Sequence, residues 1–92
     1  MLMFDIETNG LLKDVNVLHC MCIYDTETEK MYRYDPTNVL EGVKKLQREI
    51  DNGGLICGHN IIEYDIPALA KLYPNDFKMS FSQQGLIIDT LV

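Results

Sequence analysis

The chain has 92 residues, of which 47% are hydrophobic, and a formal net charge of −6. This length supports one hydrophobic core and is too short for two domains. The excess of acids excludes a broad nucleic-acid-binding surface built from Lys and Arg, although a site that binds cations gathers acids by necessity. No stretch approaches the roughly 18 apolar residues of a membrane span, and the N-terminus lacks the basic start and cleavage site of a signal peptide. We therefore expect a cytosolic chain without a membrane partner.

The three cysteines lie in apolar stretches, at Cys20, Cys22 and Cys57. Their odd number favours buried, reduced thiols over a disulfide framework. Because Cys20 and Cys22 have no second Cys pair to match them, the spacing argues against a zinc site. His19, within the same apolar stretch, is expected to be a core residue.

The first ten residues, MLMFDIETNG, predict a strand that is broken by Thr8, Asn9 and Gly10. The alternation of Asp5, Ile6 and Glu7 places two carboxylates on one face of that strand. Two acids on the same face repel each other, and their oxygens suit hard cations such as Mg²⁺ or Mn²⁺. On this pair alone, the alternative of a solvated edge in an acidic protein is equally acceptable.

The next elements predict a hairpin and a helix. Residues 15–24 are rich in apolar and β-branched side chains, and residues 31–34 form the returning strand. Residues 37–52 predict an amphipathic helix, because apolar side chains recur at spacings of three and four. These side chains are Val39, Leu40, Val43, Leu46 and Ile50. The pair Gly53 and Gly54 then ends the helix.

The remainder of the chain alternates strand and helix. Residues 55–57 predict a short buried strand, after which Gly58 lets the backbone turn tightly. A second helix begins near Asp65, for which the simplest interpretation is an N-cap. Residues 73–85 predict a polar loop, and residues 86–88 predict a final strand.

This order of elements predicts an α/β fold, with a mixed sheet and helices on its faces. The first strand can lie centrally in such a sheet, with its carboxylates at one end. The end of that strand and the turn after Gly58 can then converge.

Three segments carry a family resemblance. FDIETNGLL resembles the first motif of the DEDD superfamily of 3′-to-5′ exonucleases, GHNIIEYDIPAL resembles the second, and IIDTLV resembles the segment after it. The residues and spacing of these segments are similar to those of the N-terminal proofreading domain of phage family A DNA polymerases of the T-seven type. The similarity extends over essentially the whole chain. The resemblance implies a ribonuclease H-like fold with a mixed five-stranded sheet and flanking helices, in the cytoplasm of a bacterial or phage-infected cell.

The resemblance also implies roles for the three acids. Asp5 would bridge two divalent ions, Mg²⁺ or Mn²⁺; Glu7 would bind the ion that activates the attacking water; and Asp65 would hold the second ion. Two cations a few ångströms apart lower the pKa of the attacking water and neutralise the departing 3′-oxygen. The protein then supplies mainly placement and negative ligands.

Three further positions match family contacts to DNA. Thr8 and Leu11 match positions that touch the 3′-terminal nucleotide, and Asn60 matches a polar residue near the DNA strand. For Leu11, a place in the core is an equal alternative; for Asn60, the alternative is a turn former beside Gly58. His59 is expected to serve in packing or phosphate contact.

The sequence departs from the family in one respect. A DEDD exonuclease takes a fourth acid from a third motif, in which Tyr or His precedes Asp by four residues, and these 92 residues contain no such motif. Tyr73 and Asp76 have the wrong spacing and position, and Asp89 is interpreted as a helix cap. We therefore expect residues 1–92 to be one partial exonuclease domain without its C-terminal helices, lacking one metal ligand and inactive in isolation.

Two functions of different class remain at this point. The first is part of a proofreading exonuclease that acts on single-stranded DNA 3′ ends together with the remainder of a polymerase. The second is a stand-alone, non-catalytic binding or decoy protein with the same fold. In either case, an uncovered last strand would favour a homodimer.

Overall fold

The computed structural model describes residues 1–91, so that Val92, the last residue of the predicted domain, lies outside the described residues. The strands are β1 (Leu2–Thr8), β2 (Leu18–Asp25), β3 (Lys30–Tyr34), β4 (Ile56–Gly58) and β5 (Ile87–Asp89). The helices are α1 (Val39–Asp51) and α2 (Ile66–Leu72). A π-helical turn (Ile61–Asp65) leads directly into α2, and a 3₁₀-helical turn (Phe81–Leu86) leads into β5. Among the described residues, no helix is long and apolar enough to cross a membrane.

The strands form one mixed sheet in the order β3-β2-β1-β4-β5. β1 lies at its centre, antiparallel to β2 and parallel to β4, while β5 runs parallel to β4. This confirms the predicted α/β fold with a mixed five-stranded sheet. Because β1, β4 and β5 are parallel, their C-terminal ends meet at the same edge of the sheet.

The core lies between one face of the sheet and α1. From β1 it takes Leu2, Phe4 and Ile6, all buried. From α1 it takes the predicted apolar stripe, Val39, Val43, Leu46 and Ile50. Leu40 is the exception, because its side chain remains 38% exposed. The helical periodicity therefore predicted the buried face of α1 correctly except at Leu40.

The predicted end of α1 at two glycines is confirmed. Gly53 has a left-handed backbone, with φ of +79°, which a residue without Cβ adopts at little cost. The N–H of Gly53 donates to the carbonyl of Ile50 (3.0 Å), and the N–H of Gly54 donates to that of Glu49 (2.8 Å). These two bonds form a Schellman motif, which satisfies carbonyls that the helix end leaves free.

Two predicted strand boundaries are wrong at the β1–β2 connection. β1 continues through Thr8 instead of breaking there, and β2 begins at Leu18 instead of residue 15. The side-chain oxygen of Asn9 accepts the N–H groups of Asn16 and Val17 at 3.1 and 3.2 Å. Since these bonds fold the intervening residues into a loop, the apolar residues before Leu18 cannot join the sheet.

The predicted environments of His19 and of two cysteines are also wrong. A register irregularity between Glu7 and Thr8 places Leu18 in the core and leaves His19 exposed. Cys20 and Cys22 are half-buried, and only Cys57 is buried as predicted. All three thiols are free in the structure, as their odd number suggested.

The predicted polar loop over residues 73–85 contains a core residue and a helical turn. Phe77 is only 2% exposed and packs in the main core. The side chain of Gln47 holds the next residue by accepting the N–H of Lys78 (2.7 Å) and donating to its carbonyl (2.8 Å). The final strand follows one residue later than predicted, with Leu86 ending the 3₁₀-helical turn.

Candidate functional site

The site begins at the C-terminal end of β4, beyond which β1 has no neighbouring strand on that side among the described residues. β4 ends at Gly58, while β1 extends to Thr8 along its partner β2. A Cβ atom on Gly58 would lie 2.8 Å from the carbonyl oxygen of Phe4 and 2.4 Å from a methyl of Ile61. Only glycine allows this approach, which lets the π-helical turn pack against the end of β1.

The turn after Gly58 is held by a side chain from the neighbouring strand. Asn60 has a left-handed backbone (φ 57°, ψ 33°), a conformation that Asn tolerates. The carboxylate of Asp89 accepts the N–H groups of Asn60 (2.8 Å) and Ile62 (2.9 Å), and also that of Leu91 (2.9 Å). These bonds, led by the one from Ile62, lower the pKa of Asp89. The capping role expected of Asp89 thus extends to the turn that precedes α2.

Asp65 does not act as the N-cap that the sequence allowed. Its backbone is helical (φ −60°, ψ −48°) and its side chain makes no capping hydrogen bond, because the π-helical turn continues into α2. The side chain instead points toward β1, where the backbone N–H of Ile6 approaches it. The residue is only 6% exposed, and its Oδ2 atom has no hydrogen-bond partner among the described residues.

Burial is the main cause of the raised pKa of Asp65. Burial first, and the nearby charge of Asp5 second, raise the pKa of this carboxyl from 3.8 to about 7. The hydrogen bond from Ile6 opposes this effect without cancelling it. Asp65 therefore retains a proton through mildly acidic pH as long as no cation compensates its charge.

Asp5 and Glu7 lie on the outer face of β1, opposite to the core, and both are exposed. Of these two, Asp5 is close enough to Asp65 to influence its ionisation. Within residues 1–91, however, no three His, Cys, Asp or Glu side chains are arranged to hold a metal ion. The structure thus couples Asp5 with Asp65 and leaves Glu7 further along the same strand face, so that the predicted three-acid metal site stays a prediction.

The donor set at Asp5 and Asp65 fits a hard divalent cation. Carboxylate oxygens are the ligands that Mg²⁺ and Mn²⁺ prefer. The buried oxygen of Asp65 that lacks a partner is a group whose desolvation is costly unless a proton or a cation satisfies it. A cation between the two acids would satisfy that oxygen and relieve their repulsion.

The residues predicted to contact DNA lie around this edge. Leu11 is 69% exposed, so the alternative that placed it in the core is wrong. Thr8 is half-buried, and its hydroxyl is hydrogen-bonded to that of Tyr64. The left-handed backbone of Asn60 supports its interpretation as a turn former, and His59 contacts Thr90 through Nδ1 at 3.1 Å from Oγ1. Contacts of Thr8, Leu11 and Asn60 to DNA stay predictions.

A mostly apolar hollow of about 310 Å³ opens on the outer face beside Asp5. Its lining comes from the sheet and from the turn after β4, and includes Met3, Tyr24, Met31, Cys57 and His59. The sequence indicated the carboxylate in this region but not the hollow, because its walls combine segments that are distant in the chain.

Sequence reasoning also missed two side chains that hold the loop between β1 and β2. These are Tyr64, which directly precedes Asp65, and Lys71 in α2. The position of Tyr64 beside the acid in the second motif was a usable signal. No local pattern indicated Lys71, because its contacts span almost sixty residues of sequence.

Comparison with known proteins agrees with this architecture. A family model of the RNase H superfamily matches residues 2–91. The chain is 40% identical over 93 aligned positions to the DNA-directed DNA polymerase of Escherichia phage T7, and equally to that of Enterobacteria phage T3. Each match covers all of this chain and 13% of the relative. The ribonuclease H-like fold and the resemblance to phage polymerases are thereby confirmed, and the chain belongs to the RNase H superfamily.

Proposed function

We propose that the chain is part of the proofreading region of a DNA polymerase, a DEDD-type 3′-to-5′ exonuclease in the cytoplasm of a bacterial or phage-infected cell. Its substrate is the 3′ end of single-stranded DNA, from which it hydrolyses terminal nucleotides. The observation that carries this proposal is the buried carboxyl of Asp65 near Asp5 of the central strand, because its Oδ2 atom has no hydrogen-bond partner among the described residues. The 40% identity to two phage DNA polymerases supports the choice of DNA as substrate.

In this proposal the protein provides the metal ligands and the contacts to the DNA strand. The metal ligands are the carboxylate oxygens of Asp5, Glu7 and Asp65. The carboxyl of Asp65 loses its proton when a cation binds there. When bound, Mg²⁺ or Mn²⁺ supplies the charge that lowers the pKa of the attacking water and stabilises the leaving 3′-oxygen. Thr8, Leu11 and Asn60 would contact the DNA strand, the exposed Leu11 through its apolar side chain.

The fourth acid of the reaction must come from elsewhere. The chain spans 13% of the length of the curated relatives that it matches, and we propose that the remainder of a polymerase supplies the missing ligand. The second candidate, a non-catalytic binding or decoy protein, is favoured by one observation, which is that the described residues hold no ready group of three metal ligands.

An exonuclease assay tests these candidates. The 92-residue chain is incubated with 5′-labelled single-stranded DNA and Mn²⁺, beside a longer chain that adds the third motif. We expect little or no activity from the 92-residue chain, several orders of magnitude below the longer chain, since ligands of one site act as a unit. The matched control is the longer chain with Asp5→Ala/Glu7→Ala, which should be inactive.

Two results would change this assignment. Activity of the 92-residue chain that Asp5→Ala/Glu7→Ala removes would show that its site is already complete. An inactive longer chain would favour the decoy function. Manganese-detected water relaxation gives an independent measure: wild type should bind Mn²⁺ weakly and Asp5→Ala should bind it less, whereas identical titrations would mean that the acids are a solvated edge.

A further inference from the structure

The first element of this inference is the hydroxyl of Tyr64. It donates to the carbonyl of Gly10 at 2.6 Å and is also hydrogen-bonded to the hydroxyl of Thr8. The hydroxyl of Thr8 also lies within donating distance of the Gly10 carbonyl, at 3.2 Å, so that the two hydroxyls and this carbonyl form one hydrogen-bonded cluster. The half-buried ring of Tyr64 thus spans from the π-helical turn to the residues that directly follow Glu7.

The second element is the ammonium group of Lys71, which reaches the same loop further along. It donates to the carbonyls of Leu12 and Lys13 at 3.0 and 3.1 Å. Lys71 follows Tyr64 by seven residues, about two helical turns, so both side chains project from one face of the segment. Together they attach residues 8–13 to the helical segment 61–72 at two points.

The placement of these contacts gives them a role at the acid pair. Asp65 is the residue after Tyr64, and its carboxyl is close enough to Asp5 for the two charges to interact. When both carboxylates are ionised, their repulsion acts to separate the helical segment from β1. The bonds of Tyr64 and Lys71 join the same two parts of the structure, so they oppose the separation.

We propose that Tyr64 and Lys71 are positioning residues, which clamp the loop carrying Leu11 to the segment carrying Asp65 and so keep the acid pair and the loop in one relative placement. The role in metal binding rests on the proposed function, whereas the clamp itself does not. In this arrangement one rigid unit holds both a cation bound at the acids and a DNA strand bound at the loop.

The test uses Tyr64→Phe and Lys71→Met in the full 92-residue chain, with Tyr73→Phe and Lys44→Met as matched controls. Neither control side chain makes a side-chain hydrogen bond within residues 1–91. Amide hydrogen exchange without metal should show that Asp14, Asn16 and Val17, whose N–H groups donate within the loop, exchange about tenfold faster in each clamp variant, because one or two hydrogen bonds that hold the loop are lost. Mn²⁺ affinity should fall several-fold, while the thermal midpoint stays close to that of the controls.

Three results would overturn the proposal. Loop exchange equal to that of the controls would remove the clamp itself. A loosened loop with unchanged Mn²⁺ affinity would reduce Tyr64 and Lys71 to a structural tether. If wild type binds no Mn²⁺, the proposed function fails and the positioning role fails with it; this result is seen in wild type alone and is therefore distinct from failure in the variants.

Discussion

The two faces of β1 differ sharply although their residues alternate along seven positions of one strand. On the inner face, Leu2, Phe4 and Ile6 are 2%, 5% and 7% exposed. On the outer face, Met3 is 42% exposed and is followed by two exposed acids. The inner face belongs to the hydrophobic core and contributes to stability through burial, whereas the outer face presents two carboxylates to solvent.

Asp65 connects these two environments. It comes from a helical segment whose core residues Ile61, Ala68 and Leu69 are fully buried, yet its carboxyl lies near the exposed Asp5. A charge is therefore placed where packing alone would favour an apolar residue. The fold thus accepts a cost at Asp65 that the inner face of β1 avoids, as is common for residues with a chemical role.

Substitutions on the two faces of β1 should differ strongly in their effect on stability. Phe4→Ala should lower the free energy of unfolding by about 3–5 kcal/mol, because it removes a buried ring and leaves a cavity. Met3→Ala, one residue away on the outer face, should cost less than about 1 kcal/mol. Urea denaturation of both variants measures the difference. Similar losses would contradict the assignment of the outer face as unpacked.

The pH dependence of stability tests the cost at Asp65. Its pKa is raised from 3.8 to about 7 in the folded chain, so between these values the folded chain keeps a proton that the unfolded chain has lost. The free energy of unfolding should therefore decrease as pH rises from about 4 to about 7, by an amount on the order of 3 kcal/mol, and then level off.

Asp65→Asn should remove most of this decrease and be more stable than wild type at pH 8. The exposed Asp14→Asn serves as the control and should keep the profile of wild type. Chemical denaturation at several pH values provides the measurement. A wild-type stability that increases over this pH range would show that Asp65 is not an acid with a raised pKa.

Self-association through the edge of the sheet is expected to be weak. β5 is an edge strand, and Ile88 within it is 40% exposed, so its unpaired backbone groups can pair with a second copy. We expect a weak, concentration-dependent homodimer in sedimentation experiments, weakened at least about tenfold by Ile88→Lys. Met31→Lys on β3, at the other edge, is the control. A strictly monomeric wild type would contradict this expectation.

Local patterns predicted a large part of the fold. The alternation through Asp5, Ile6 and Glu7 identified the two faces of β1, and the spacing of three and four residues identified the core side of α1. The glycine pair after α1 predicted its end, because a left-handed backbone is a local requirement. The pair Asp5 and Glu7 was found in the same way, whereas Asp65 was identified through the resemblance of the second motif to the exonuclease family.

Tertiary contacts decided the remainder. The burial of Phe77, the exposure of His19, the three N–H groups bound by Asp89 and the reach of Lys71 to the β1–β2 loop all depend on partners distant in sequence. The sequence by itself therefore determined the elements, their buried faces and the identity of the acids. Only the tertiary structure decided that Asp65 is buried beside Asp5 and not capping a helix, because the electrostatic environment of a carboxylate depends on the segments that pack around it.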